Sequence, residues 1–212
     1  MATKPLHVLC DMDGTIIDTE GLKDEAWRKA LGEVTHVLPD PVEHRKFYAS
    51  LVGRPGMQIA VEMVERYGLS ATPDELWKLR EKHRRMLYSD SATLRSLACN
   101  SIIDFVRRLR EGFAVIGEGS IVLVTTAGSD QVEVILDALG IGHLFDRVIC
   151  GLEKTRGNPE CYRAVLTELR CQPGDCLAIE DSLVGYEAAR SLGIPCLLLP
   201  NDYTKNQRPR AS

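Results

Sequence analysis

Apolar positions recur along the chain with two different periods, and the switches between them divide it. Residues 7–10 form a short, mostly apolar run bounded by Pro5 and by acids, the pattern of a central strand buried on both faces. After Glu20 the period becomes that of a helix. Leu22, Ala26, Trp27, Ala30 and Leu31 fall on one face, and the stretch 34–41 breaks the pattern. A second helical piece, 44–51, leads into the loop Val52-Gly-Arg-Pro-Gly56. Residues 57–67 then make an amphipathic helix that Gly68 ends. Thr72-Pro-Asp-Glu75 supplies an N-cap, a proline at the first helical position and acids in the first turn. It opens a helix through Leu76, Leu79 and His83 to about Tyr88. No strand pattern occurs between Glu20 and Ser101.

From Ser101 the alternation of parallel α/β units takes over. Ile102, Ile103, Phe105, Val106 and Leu109 share a helix face, followed by a strand at 121–124, a helix at 131–139, a strand at 147–150 and a helix at 159–169. A strand at 176–179, a helix at 183–192 and a strand at 195–199 complete the series. The pattern predicts a doubly wound parallel α/β sheet, Rossmann-like, built from residues 1–19 and 94–212. Residues 20–93 are inserted in it as an α-helical cap domain. Gly117-Glu-Gly-Ser120 lacks the G-x-G-x-x-G register and precedes a strand, so it is no dinucleotide signal.

Composition adds bounds. With 212 residues, 44% hydrophobic and 26% charged, the chain can bury one substantial core and a smaller second one. A net charge of -4 gives no broad basic field for nucleic acid, although the tail 205–210 is locally basic. No apolar run approaches a membrane span, and the N-terminus has no signal-peptide core, so a cytoplasmic location is expected. Seven cysteines form no C-x-x-C pair. Cys10, Cys150 and Cys196 lie in apolar runs and read as buried thiols, whereas Cys171 and Cys176 can approach each other across a turn. His7, His36, His44, His83 and His143 show no metal-ligand spacing with them.

The chemistry concentrates at strand ends. The first strand stops on Asp11 and Asp13, at the edge where open α/β sheets place ligands. One carboxylate there can attack an electrophile, and a second, two residues on, can move a proton or help hold a cation. Gly14 lets the backbone turn and approach an anion, and Thr15 offers a hydroxyl, although Asp and Gly also make ordinary turns. The strand at 121–124 ends in Thr125-Thr126-Ala-Gly-Ser129, whose hydroxyls and backbone N–H groups suit an anion; Ser129 or Asp130 also suits a helix N-cap. The strand at 176–179 ends in Glu180-Asp181-Ser182. Adjacent buried acids are costly without a cation, and an all-oxygen set points to Mg²⁺; Asp181 or Ser182 can equally cap the next helix.

The string DMDGTIIDTE, residues 11–20, closely resembles the first motif of the haloacid dehalogenase superfamily, in its β-phosphoglucomutase-like phosphatase branch. The resemblance implies Asp11 as nucleophile and Asp13 as general acid/base. AIEDSLVGYEAARSLGIP is similar to the fourth motif and its helix, which sets Glu180 and Asp181 beside Asp11 and Asp13 around Mg²⁺. The second motif carries Thr125 over as a phosphate ligand, with Thr126 in the following place. The third motif departs from the family. Its Lys position holds Arg156 in an ungapped alignment on Asn158-Pro159-Glu160, with Gly157 for the usual Pro; if two residues are missing, Lys154 takes the place. A planar guanidinium is not equivalent to an ammonium, so Arg156 implies a weakened site. In the cap, Lys23 stands where the branch often has His. Gly53 is kept, and Arg54 is the candidate cation for a phosphosugar, the loop Arg of the mutases falling at Gly56. The chain stops soon after Thr204, where the branch continues with a strand and helix, so a shortened sheet edge is expected.

Taken together, the resemblance implies a Mg²⁺-dependent phosphatase of small phosphorylated metabolites, sugar phosphates above all, acting through an aspartyl-phosphate. Asp13 argues against dehalogenation. A phosphosugar mutase and a catalytically weakened phosphometabolite-binding or regulatory protein are the alternatives. The expected partner is a small phosphorylated metabolite, with no nucleic acid or membrane, and the expected state a monomer or weak dimer.

Overall fold

The computed structural model describes residues 6–116 and 119–207; Gly117, Glu118 and the basic end of the tail therefore lie outside the described residues. The chain divides into two compact units, one of Met1–Asp18 and Ser91–Ser212, the other of Thr19–Asp90.

The first unit is built on five parallel strands, β1 (His7–Cys10), β2 (Ser120–Val124), β3 (Arg147–Ile149), β4 (Cys176–Glu180) and β5 (Cys196–Leu198), in the order β3-β2-β1-β4-β5. Every residue of β1 is buried and β2 and β4 nearly so, as a sheet covered on both faces requires. The edge strand β3 is exposed at Arg147 and Val148. Burying each large aliphatic side chain of this core stabilises by about 1.5–3 kcal/mol. Leu9, Val122, Val124, Ile149 and Val165 are among those that form it, with Tyr162 and Ala178 packed between them. The chain runs from β1 outward through β2 to β3 and then returns to the other side of β1 for β4. The reversal makes the gap between β1 and β4 a topological switch point, where such sheets bind ligands. In register, Cys10 faces Leu123 on one side and Ile179 on the other. Asp11, Val124 and Glu180 consequently emerge side by side at one sheet edge.

The second unit holds α1 (Glu20–Thr35), α2 (Pro41–Ala49), α3 (Gly56–Tyr67) and α4 (Pro73–Tyr88). Helix α2 starts three residues before the expected position. The cause is Asp40, whose carboxylate accepts from the N–H of Val42 and Glu43 while Pro41 takes the first helical position. Helix α1 ends at His36, which adopts φ 57. Thr72 and Glu75 close the reciprocal capping box that opens α4. Trp27 and Trp77 pack with ring centroids 5.9 Å apart, and the Arg80 guanidinium lies 5.0 Å from the Trp77 ring centre.

The first unit also contains α5 (Ser91–Ser96), α6 (Asn100–Ile116), α7 (Ser129–Leu139), α8 (Glu160–Leu169) and α9 (Leu183–Ser191). Helix α5 has no sequence counterpart, because six residues with Leu94 alone buried show no period. Gly128, and neither Ser129 nor Asp130, caps α7, its carbonyl taking the N–H groups of Gln131 and Val132. Ser182 does cap α9, accepting from Gly185 N at 3.2 Å. All seven cysteines are free thiols, Cys150 and Cys196 only half-buried, and the Cys171 and Cys176 sulfurs lie 3.5 Å apart.

Candidate active site at the end of strands β1 and β4

Each acid reaches the sheet edge through its own strand. Asp11 continues β1, its N–H bonded to Ile179 O at 3.0 Å. The chain then folds sharply: Gly14 N donates to Ile17 O at 2.7 Å, and Thr15, Ile16 and Ile17 all donate to Met12 O. Gly14 has φ +90, and a Cβ there would stand 2.2 Å from Asp181 Oδ2, so only glycine fits the turn. Thr15 is buried, with its hydroxyl unbonded among the described residues. Asp13 is half-buried, and its Oδ1 accepts from Gln131 Nε2 at 3.4 Å.

Asp11, Glu180 and Asp181 are buried and each brings one carboxylate oxygen within 4.8 Å of the others. Lys154 stands among them. Its ammonium donates to Asp11 Oδ1, lies 3.0 Å from Glu180 Oε1 and donates to Val124 O at 3.1 Å. Glu180 Oε1 also accepts from the Tyr162 hydroxyl, while Glu180 Oε2 is buried with no hydrogen-bond partner among the described residues. Burial pushes the Glu180 carboxyl up to about 7, with Asp11 adding and Lys154 and Tyr162 opposing. Burial alone would discharge Lys154, but the charges of Asp11 and Glu180 outweigh it and hold the ammonium protonated. One lysine against three carboxylates leaves a net negative pocket with an unspent oxygen. An all-oxygen set with that deficit fits a hard divalent cation such as Mg²⁺.

Two sequence expectations are corrected. Arg156 does not occupy the lysine's place: it is exposed, whereas Lys154 is buried at Asp11. The reason is a tight turn in which Thr155 and Asn158 exchange backbone hydrogen bonds at 3.2 Å. Arg156 sits at its tip and Lys154 in the stem, so the segment from the lysine to Pro159 is two residues longer than the ungapped alignment requires. The Asp13 carboxylate lies outside the acidic trio, held instead by Gln131.

The remaining predicted residues fall in different places. Thr125 is buried, and its Oγ1 accepts from Ala127 N at 3.1 Å, an arrangement that leaves the hydroxyl proton to donate. Thr126 is exposed beside it. Lys23, Gly53 and Arg54 belong to the second unit. Lys23 pairs with Glu20 at 2.7 Å, and Arg54 with Glu62 at 2.7 Å. Gly53 takes φ +92 in the loop between α2 and α3. Sequence reasoning missed Gln131, Tyr162 and Asn201, the last donating to Asp181 Oδ2 at 2.8 Å. Tyr162 carries a readable signal in that it lies on the apolar face of α8; nothing in the sequence marks the other two.

Known proteins agree with this architecture. Fructose-1-phosphate phosphatase YqaB of Escherichia coli is 27% identical over 189 residues, 88% of this chain and 92% of that protein. A phosphorylated carbohydrates phosphatase of Thermotoga maritima is 26% identical over 189 residues, 88% of this chain and 81% of that protein. A CbbY variant from Rhodobacter sphaeroides, solved in complex with xylulose-(1,5)bisphosphate, superposes with a TM-score of 0.76 at 22% identity, covering 96% of this chain and 90% of that one. At that identity the likeness concerns the fold. The family model for haloacid dehalogenase-like hydrolases matches residues 6–193, nearly the whole described length, and this chain belongs to that family of enzymes.

Proposed function

We propose that the chain is a phosphoric monoester hydrolase, a Mg²⁺-dependent phosphatase of small phosphorylated metabolites, sugar phosphates in particular. The observation that carries the reading is the Lys154 ammonium set between Asp11 and Glu180, beside an acidic trio that fits a divalent cation. The sugar-phosphate names of the relatives support the substrate class.

In this reading an Asp11 oxygen attacks phosphorus in line and forms an aspartyl-phosphate while the P–O bond to the alcohol breaks. Asp13 protonates the leaving alcohol oxygen and then takes a proton from the water that attacks the aspartyl-phosphate. Gln131 keeps the Asp13 carboxylate aimed. Lys154 and the Thr125 hydroxyl oppose the charge on the transferring oxygens, and the buried Thr15 hydroxyl is a further donor to them. Mg²⁺, held by Asp11, Glu180 and Asp181, would supply the remaining positive charge for two approaching anions. Lys154 removes the ground for a weakened site that Arg156 had offered. Substrate selection is assigned to the second unit, residues 19–90, through Lys23, Gly53 and Arg54, and the enzyme is placed in the cytoplasm. Among the described residues no helix is long and apolar enough to cross a membrane.

The test is hydrolysis of an aryl phosphate and of a set of hexose and pentose phosphates, with Mg²⁺ and with EDTA. Phosphate release that needs Mg²⁺ and favours the sugar phosphates supports the reading; isomerisation of a sugar phosphate without release would point to a mutase, and full activity in chelator would reject the metal site.

A further inference from the structure

After β5 the chain returns to the acidic loop. Asn201 Oδ1 accepts from Tyr203 N at 2.9 Å, from Thr204 N at 3.1 Å and from the Thr204 hydroxyl at 3.2 Å. Thr204 is wholly buried and its Oγ1 accepts from Asn201 N at 3.0 Å, so the turn locks the asparagine side chain by its oxygen. Its amide nitrogen is thereby aimed at Asp181 Oδ2, 2.8 Å away. Further on, Gln207 Oε1 accepts from Leu183 N at 2.7 Å, at the first turn of α9. The segment 201–207 thus grips the Asp181 loop at two points. Gly14, in the turn that follows the nucleophile, completes the contact: a Cβ on it would stand 2.2 Å from Asp181 Oδ2 and 2.7 Å from Asn201 Nδ2.

We propose that Asn201 is a positioning residue that fixes the orientation of Asp181 as a metal ligand. The inference rests on the Mg²⁺ reading above. A carboxylate beside two other acids is driven by their charge to swing away, and a charge-assisted bond from a neutral donor holds it without adding to or cancelling the negative charge a cation needs. Hydrogen-bond partners of ligating carboxylates set metal affinity, and their loss costs about 10–100-fold. Asn201 meets that description: it is tethered through its oxygen, donates through its nitrogen and carries no charge.

The experiment measures Mn²⁺ binding to the full chain by electron paramagnetic resonance. Asn201→Ser retains an oxygen for the turn and is too short to reach Asp181; Asn201→Gln retains an amide donor. The serine variant is expected to bind Mn²⁺ about 10–100-fold more weakly than the natural chain, with its metal-free melting temperature little changed, and the glutamine variant to recover part of the affinity. Wild-type affinity in Asn201→Ser, or no recovery in Asn201→Gln, overturns the proposal. Should the serine variant fail to fold, Asn201→Met against Asn201→Gln makes the same comparison of a chain without and with the donor. A natural chain that binds no Mn²⁺ overturns the Mg²⁺ reading and this inference together, whereas equal binding by natural and serine chains overturns this inference alone.

Discussion

The Lys154 ammonium donates to the Asp11 carboxylate and lies 3.0 Å from Glu180, joining the ends of β1 and β4 through a residue of neither strand. Removing it takes away a charge that opposes both the acids and a bound phosphate. Lys154→Ala is expected to lower turnover about a hundredfold or more, near 3 kcal/mol of transition-state stabilisation. Arg156→Ala, on an exposed turn tip, is expected to stay within about threefold of the natural rate, a difference near 0.7 kcal/mol. Steady-state kinetics of the two variants check this, and the reverse order would restore the ungapped alignment.

Tyr162 donates to Glu180 Oε1 from the middle of the core. Tyr162→Phe removes one of the two donors to that buried oxygen, Lys154 being the other, at a cost of about 1–3 kcal/mol. A urea midpoint unchanged by the substitution in metal-free buffer would contradict the assignment.

Gly185 lies in α9, where glycine to alanine normally stabilises by about 1 kcal/mol. Here an added Cβ would stand 2.0 Å from Glu180 Oε2. Gly185→Ala is therefore expected to lower the melting temperature and the affinity for metal, reversing the usual sign. A stabilised, fully active variant would show that the helix and the acid are not in contact.

His44 is buried in the second unit, with Nδ1 2.9 Å from the Tyr67 hydroxyl oxygen and Nε2 3.3 Å from Asp24 Oδ1. Burial lowers its pKa below the ordinary 6.5, Asp24 and Glu25 opposing and Arg28 adding. Because the folded chain then binds this proton less readily than the unfolded chain, stability should be complete above about pH 6.5 and fall as pH drops below it. His44→Gln should flatten that fall in thermal melts between pH 7 and 5. An identical pH profile in the variant would remove His44 from the account.

The alternation of apolar runs after Ser101 made the sheet legible, because buried parallel strands must be short and apolar and their helices must show one apolar face. All five strands lie within a residue or two of the expected positions. Asp11, Thr125, Glu180 and Asp181 were legible for a related reason: polar residues that close apolar strands have few places to go except a shared edge. Lys154 was not separable from Arg156, since the choice depends on the length of a turn that only the Thr155–Asn158 hydrogen bonds fix. Asn201 and Gln131 reach their acids across 20 and 118 residues of sequence, a proximity that no local pattern encodes.

The central claim, that Asp11 is the nucleophile of a Mg²⁺-dependent phosphatase, is tested most directly by inorganic phosphate release from a sugar phosphate, comparing the natural chain with Asp11→Asn in Mg²⁺. The substitution keeps the shape of the side chain and removes the attacking charge. The account predicts steady release by the natural chain and none above background by Asp11→Asn, with both chains folded by circular dichroism. Release by the folded asparagine variant at the natural rate would contradict it.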